Sequence, residues 1–144
     1  MLNGDALFLA SIVNVLVAEG LVAIPSDLVG HVNGLDIVHT AFGRFTPEAV
    51  AEKCGVDAQT IRRIARELVG APTAAVYGRI GTTTTTFGAT TSWLIDVVNV
   101  LTGNLDRRGG ARFTLPAAGG TTTKGTHGRG RGFSYGKGRT RGKH

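Results

Sequence analysis

Cysteine is nearly absent from this chain: Cys54 is the only one. An internal disulfide is thereby excluded, as is any metal site built from several thiolates. A single thiol is read as a small, partly buried residue in a reducing compartment, and the chain is expected to be cytoplasmic. No long hydrophobic run is present either. The apolar stretch Ala6 to Ala18 is too short to span a bilayer, and it lacks a basic flank before it and a small-residue cleavage site after it. Acid is missing from one whole end. Residues 1–106 hold six Lys/Arg and all ten Asp/Glu, a net −4, whereas residues 107–144 hold ten Lys/Arg and no acid, a net +10. Half of the 22 glycines also fall in that last stretch. The basic balance therefore belongs to a tail, and charge alone gives no reason to expect a DNA-binding body.

What is present reads as one domain followed by that tail. "ALFLASIVNVLVAE" is apolar on almost every face and predicts a helix over residues 6–19, buried on most sides. Asp5 is a plausible N-cap for it, and Gly20 suits the position just past its end. "IPSDLVGHVNGLDIVHTAF" predicts short helices, with Ser26 as an N-cap and Asn33-Gly34 as a stop. His31 and His39 lie on those helices, in surface or capping roles.

"FTPEAVAEKCGVDAQTIRRIARELVG" then predicts two helices, Thr46 to Lys53 and Ala58 to Leu68, about a turn at Gly55. This is the outline of a DNA-reading helix-turn-helix, with Thr60, Arg62, Arg63 and Arg66 offered on the second helix. Against that reading, residues 45–70 hold four Lys/Arg and four Asp/Glu, whereas a DNA-docking body should be basic around its reading helix.

After Gly70, "TAAVYG" predicts a buried strand near residues 74–78, bounded by Pro72 and Gly78. "RIGTTTTTFGATTSWLIDVVNVLTGN" follows as a Gly/Thr loop and a helix near residues 88–102. Strand, loop and helix in this order imply an α/β fold: a helical segment followed by one unit of a Rossmann-like parallel sheet. The loop would lie at the carboxyl end of the strand, where such sheets bind ligands and helix N–H groups suit an anion. The threonine hydroxyls of residues 82–86 are expected to face the same crevice. Residues 119–144 form a low-complexity Gly/Arg-rich tail containing His127 and His144, expected to be disordered in isolation.

The order of these pieces resembles the middle of the catalytic subunits of molybdopterin-dependent oxidoreductases, the group of formate dehydrogenases, periplasmic-type nitrate reductases and dimethyl sulfoxide reductases. The resemblance covers roughly residues 2–115, with residues 1–118 read as a partial central region. "LTGNLDRRGG" is its most specific part, similar to the family's LTGN-x-x-x-x-GG run, with Arg108 where proline is usual. In that family the helical pair is structural. The resemblance implies two-electron redox chemistry and a bis-molybdopterin guanine dinucleotide cofactor carrying molybdenum or tungsten.

Onto this sequence it carries three contact stretches. Asn3, Gly4 and Asp5 match the turn usually written GTD, although Asp5 also serves as a plain N-cap. Ile80 and Gly81 match the loop that approaches the cofactor. Thr84 matches a position that is glutamine in some members. No stretch matches the family's metal-ligating Ser, Cys, selenocysteine or Asp, nor the iron–sulfur cluster many members carry; Cys54 stands where threonine is common. The chain thus reads as a fragment whose first partner is the remainder of such a subunit. Deprived of it, Leu7, Leu9, Ile12, Val13, Leu16 and the face of Trp93 are expected to lose part of their cover.

The rival reading is a small basic nucleic-acid-binding protein, using the helical pair or the tail. "GRGRGFSYGKGRTRG", with Phe133 and Tyr135 among its arginines, resembles single-strand-binding segments and implies weak nonspecific RNA binding.

Overall fold

A computed structural model describes residues 4–112. The tail expected at residues 119–144 lies outside the described residues. Seven helices make up the body: α1 (Gly4–Ala18), α2 (Ser26–Val29), α3 (Leu35–Ala41), α4 (Pro47–Cys54), α5 (Ala58–Gly70), α6 (Ile80–Thr83) and α7 (Gly88–Leu101). Among the described residues, none of them is long and apolar enough to cross a membrane.

The expected α/β fold is overturned. Helix accounts for 60% and strand for 2% of the described residues, and no sheet forms. Residues 74–79 form neither helix nor strand, and no strand lies beside them among the described residues. The reason is a side chain. Asn99 of α7 accepts a hydrogen bond from the Val76 N–H (3.0 Å) and donates one to the Val76 carbonyl (2.7 Å). One buried amide thus gives Val76 the donor and acceptor that a neighbouring strand would have supplied. The β-branched, bounded run that reads as a strand near residues 74–78 does not form one.

The body is organised around α1, which has no polar stripe to turn outward. Leu9, Ile12, Val13, Val15 and Leu16 are all buried. Val50 of α4, Ile61 and Ala65 of α5, and Leu94, Val98 and Leu101 of α7 join them in one core with Val38 and Phe42. The expected loss of cover is therefore corrected for Leu9, Ile12, Val13 and Leu16, because α4, α5 and α7 close over them within this chain. Leu7 is part-buried, and Trp93 remains 50% exposed.

α1 and α7 run side by side in the same direction. Ala6, Leu7 and Ala10 from the start of one face Phe87, Thr90 and Leu94 from the start of the other across an apolar pocket. At the far end the Ala23 N–H donates to the Leu101 carbonyl (2.7 Å).

Both helices stop by the same device. In α1 the Gly20 N–H donates to Val17 and the Leu21 N–H to Leu16; in α7 the Gly103 N–H donates to Val100 and the Asn104 N–H to Asn99. Each pair satisfies carbonyls left over at a helix end, and each needs a left-handed residue. Gly20 and Gly103 supply it, with φ of 66° and 68°. At Gly103 space is as limiting as angle, since a Cβ there would lie 2.5 Å from the Ala23 carbonyl oxygen.

Other sequence signals divide. Thr46 caps α4 by accepting from the Ala49 N–H (3.3 Å), with Pro47 in the first turn as expected. Asp57 caps α5 through the Thr60 N–H (2.8 Å). Ser26, by contrast, is the first residue of α2 and not its cap; Pro25 holds that position. Gly34 begins α3, as its N-cap with φ of 81°, where a stop was expected. Asp5 lies inside α1, which starts at Gly4, so it is not the N-cap either.

Asn14, on α1, donates to the Phe42 carbonyl (3.0 Å) and so anchors the end of α3 to the core. Ser11 is the counterexample: its hydroxyl is fully buried and has no hydrogen-bond partner among the described residues. Two substitutions should therefore move stability in opposite directions in urea denaturation. Gly103→Ala should cost about 2–4 kcal/mol, from the left-handed angle and the close Ala23 carbonyl. Ser11→Ala should gain about 1 kcal/mol by removing an unpaired buried hydroxyl from a helix.

Candidate functional site

The residues carried over by resemblance fall into two groups. Asn3 lies outside the described residues. Gly4 is the first residue of α1 and sits against α4, where an added Cβ would be 3.3 Å from the Cys54 carbonyl oxygen. Asp5 follows it in the first turn, exposed. The second group is carried by α6, not by an open loop. Ile80 opens this one-turn helix and is 78% exposed; Gly81 follows, with nothing within 4 Å of where its Cβ would stand. Thr84 is the C-cap of α6.

The starts of α1 and α7 face each other across the apolar pocket, and α6 precedes α7 in the chain. Gly88 fixes how tightly α6 is held to α7. It opens α7 so close to the Thr83 backbone that a Cβ would overlap the Thr83 carbonyl oxygen. Among the described residues no hydrogen bond joins Gly4 or Asp5 to Ile80, Gly81 or Thr84.

The threonines do not point together into a crevice. Thr82 donates its hydroxyl to the Arg79 carbonyl (2.7 Å), and Thr83 and Thr84 donate theirs to the Ile80 carbonyl (3.1 and 2.9 Å). Thr85 donates to the Thr82 carbonyl at 3.4 Å. Short hydroxyl side chains bond their own backbone whenever a carbonyl three or four residues back is in reach. Their hydrogens are therefore spent locally, and their oxygens remain available only as acceptors. The backbone N–H groups of Ile80 and Gly81 are among the donors for which a first helical turn offers no internal acceptor.

Beside α6 lies a cleft of about 310 Å³ with a mixed lining that includes Val76, Tyr77, Thr82, Ile95, Asp96 and Asn99. Nothing in the sequence marks it, since it brings together residues 76–78, α6 and α7 from three separate stretches.

"LTGNLDRRGG" is a folded knot. Asn104 is buried and donates its amide to the Leu68 carbonyl (3.2 Å) and to the Thr102 hydroxyl oxygen (3.0 Å). Leu105 and Ala111 form a single bridge across the turn: the Asp106 N–H donates to the Ala111 carbonyl, and the Ala111 N–H donates to the Asn104 carbonyl. Arg107 reaches back to the Pro72 carbonyl at 2.8 Å, tying the knot to the chain just before residues 74–79. Gly110 leaves no room for a side chain against the Asn104 carbonyl. Through Arg107 the knot positions residues 72–79, while Leu101 and Ala111 at its two ends line a groove between α3 and α7 and the cleft beside α6, respectively.

On the other side, the arginines of the helical pair are engaged. Arg62 donates two bonds to Glu48 (2.7 and 3.0 Å), Arg66 two to Glu19 (2.8 and 2.9 Å), and Arg63 two to Glu67 (2.9 and 3.2 Å). The Arg66 hydrogen bonds hold the Glu19 carboxyl below its ordinary value of 4.5, with Arg62 adding to the effect and partial burial opposing it. Glu48 is lowered likewise by Arg62. Surface guanidiniums paired in this way are less available to phosphates. His, Cys, Asp and Glu side chains do not gather in threes around a common point among the described residues.

No protein-family model matches this sequence, and no curated protein is significantly similar to it.

The Glu19 pairing generates a pH dependence whose sign is fixed. A carboxyl depressed in the folded state stabilises the fold above its unfolded value, and that contribution disappears as pH falls through the folded value. At low salt the urea midpoint of the chain should therefore fall as pH is lowered from about 5 through the range below 4.5. Glu19→Gln should flatten part of that decline. An unchanged acid limb in the variant would show that the Arg66 pairing contributes nothing to stability.

Proposed function

We propose that this chain is part of the catalytic unit of a molybdopterin-dependent oxidoreductase, in which it furnishes one edge of the cradle for a bis-molybdopterin guanine dinucleotide cofactor. The order and spacing of the sequence motifs suggest the reading. The observation that carries it is that the starts of α1 and α7 face each other: Gly4 and Asp5 open one helix, and Ile80, Gly81 and Thr84 precede the other in the chain.

The fit to such a group is through the backbone. A pyrophosphate asks for N–H donors and for close approach. The exposed Ile80–Gly81 turn offers both, because its amides begin a helix and Gly81 has open space above it. The threonine hydroxyls fit less well, being already committed as donors to Arg79 and Ile80. The exposed Asp5 carboxylate suits the N–H edge of a base and not a phosphate. When bound, such a group supplies two-electron redox chemistry at its molybdenum or tungsten. This chain's residues would hold the nucleotide end, and the metal ligand and any iron–sulfur cluster would come from the remainder of the subunit. A cytoplasmic setting belongs to the same proposal.

One edge of a cradle does not enclose a large cofactor, which sets the expected result for the chain by itself. Metal analysis of the purified chain should find molybdenum and tungsten far below one per molecule, with no turnover of formate, nitrate or a sulfoxide. The DNA on either side of its reading frame should encode the remainder of an oxidoreductase, in the same or a shifted frame. Flanking DNA that encodes no part of such an enzyme would overturn the reading.

A further inference from the structure

The body is finished differently on its two sides. Across α4, α5 and the end of α1, the Arg–Glu pairs form a surface suited to water. Between α3 and the second half of α7 there is instead a groove of about 520 Å³, walled by Leu35, Ile37, Ala41, Trp93, Val97 and Val100. Ile37 is 66% exposed at its lip. Trp93 stacks on Phe42, with ring centroids 6.1 Å apart and planes 27° apart, and half of it stays open to solvent. Within this apolar lining stands one charge, Asp96, one helical turn from Trp93. It is exposed and forms no ion pair with any described residue.

Three occupants compete for such a groove. A second copy meeting this face by two-fold symmetry would bring Asp96 towards its twin, and no cation among the lining residues would offset the repulsion. A small apolar molecule would cover the walls and leave the carboxylate unused. A helix satisfies both features. The exposed wall of α7 is a stripe at Trp93, Val97 and Val100, and α3 lines the other side, so an apolar ridge fits between them.

We propose that the α3–α7 groove is a docking site for an amphipathic helix of a partner protein segment, which lays an apolar stripe against Trp93, Val97 and Ile37 and presents a single Lys or Arg to Asp96. The proposal uses none of the residues assigned to the cofactor cradle; in the fragment reading the partner segment belongs to the remainder of the subunit expected to cover Trp93.

Trp93 is the only tryptophan in the chain, so its emission reports the groove directly. The probe is a helix-forming peptide about 14 residues long, with leucines at helical spacing and one lysine at the edge of the leucine stripe. Twin peptides carry glutamate or norleucine in its place. With the full chain, the lysine peptide should shift Trp93 emission to the blue in a saturable way, and the glutamate peptide should bind roughly tenfold more weakly. Asp96→Lys, at an exposed position that keeps the fold by far-UV circular dichroism, should invert that preference. Equal binding by all three peptides, or no shift with any of them, would overturn the proposal. So would sedimentation showing that the chain pairs with itself in a complex that excludes the lysine peptide.

Discussion

A helix without a polar side has to be enclosed, and in this molecule that requirement falls on α1. Each large apolar side chain taken fully out of water stabilises a fold by roughly 1.5–3 kcal/mol. Leu9, Ile12, Val13, Val15 and Leu16 are all enclosed, so α4, α5 and α7 have little freedom in where they lie. The secondary features follow from that placement. Asn14 anchors α3 because it projects from the same helix, and Ala23 meets Leu101 because α1 and α7 end together.

Apart from α6, which reads as a loop, the helices were legible in the sequence because their signals are local. Thr46-Pro47 announces a helix start, Gly20 and Gly103 announce stops, and the apolar spacing between them does the rest. The run at residues 74–78 was misleading, since it reads as a strand and forms none. Strand propensity describes a residue's fit to a pleated, half-buried surface and says nothing of what will pair with it. Here Asn99, more than twenty residues away, takes that role, and no rule of periodicity marks an asparagine inside an apolar helix as a surrogate strand. Ser26 and Gly34 failed for a smaller reason: in very short helices one residue's shift turns a cap into a first turn or a stop into a start.

The candidate site divides in the same way. That Gly4 and Asp5 open a helix whose start faces that of α7, which Ile80, Gly81 and Thr84 precede, depends on α1 and α7 being parallel, which no local pattern encodes. The threonine run shows the limit of reading composition as chemistry. Five hydroxyls in a row suggest a polar crevice, yet four of the side chains satisfy carbonyls within their own turn. The cleft beside Tyr77 and the α3–α7 groove were not legible at all, being properties of elements that meet only in space.

The parallel seam between α1 and α7 also governs the order in which the molecule can be made. During synthesis α1 emerges before the helices that cover it, and α7 emerges after α4 and α5. Until then the most apolar helix has only α4 and α5 to shelter against. Closing so long a loop adds little to the equilibrium cost, since that cost grows only with the logarithm of length. It does delay folding, because contacts distant in sequence are slow to find each other. The ribosome therefore holds a chain whose most apolar helix is incompletely covered until Leu94, Val98 and Leu101 have cleared the exit.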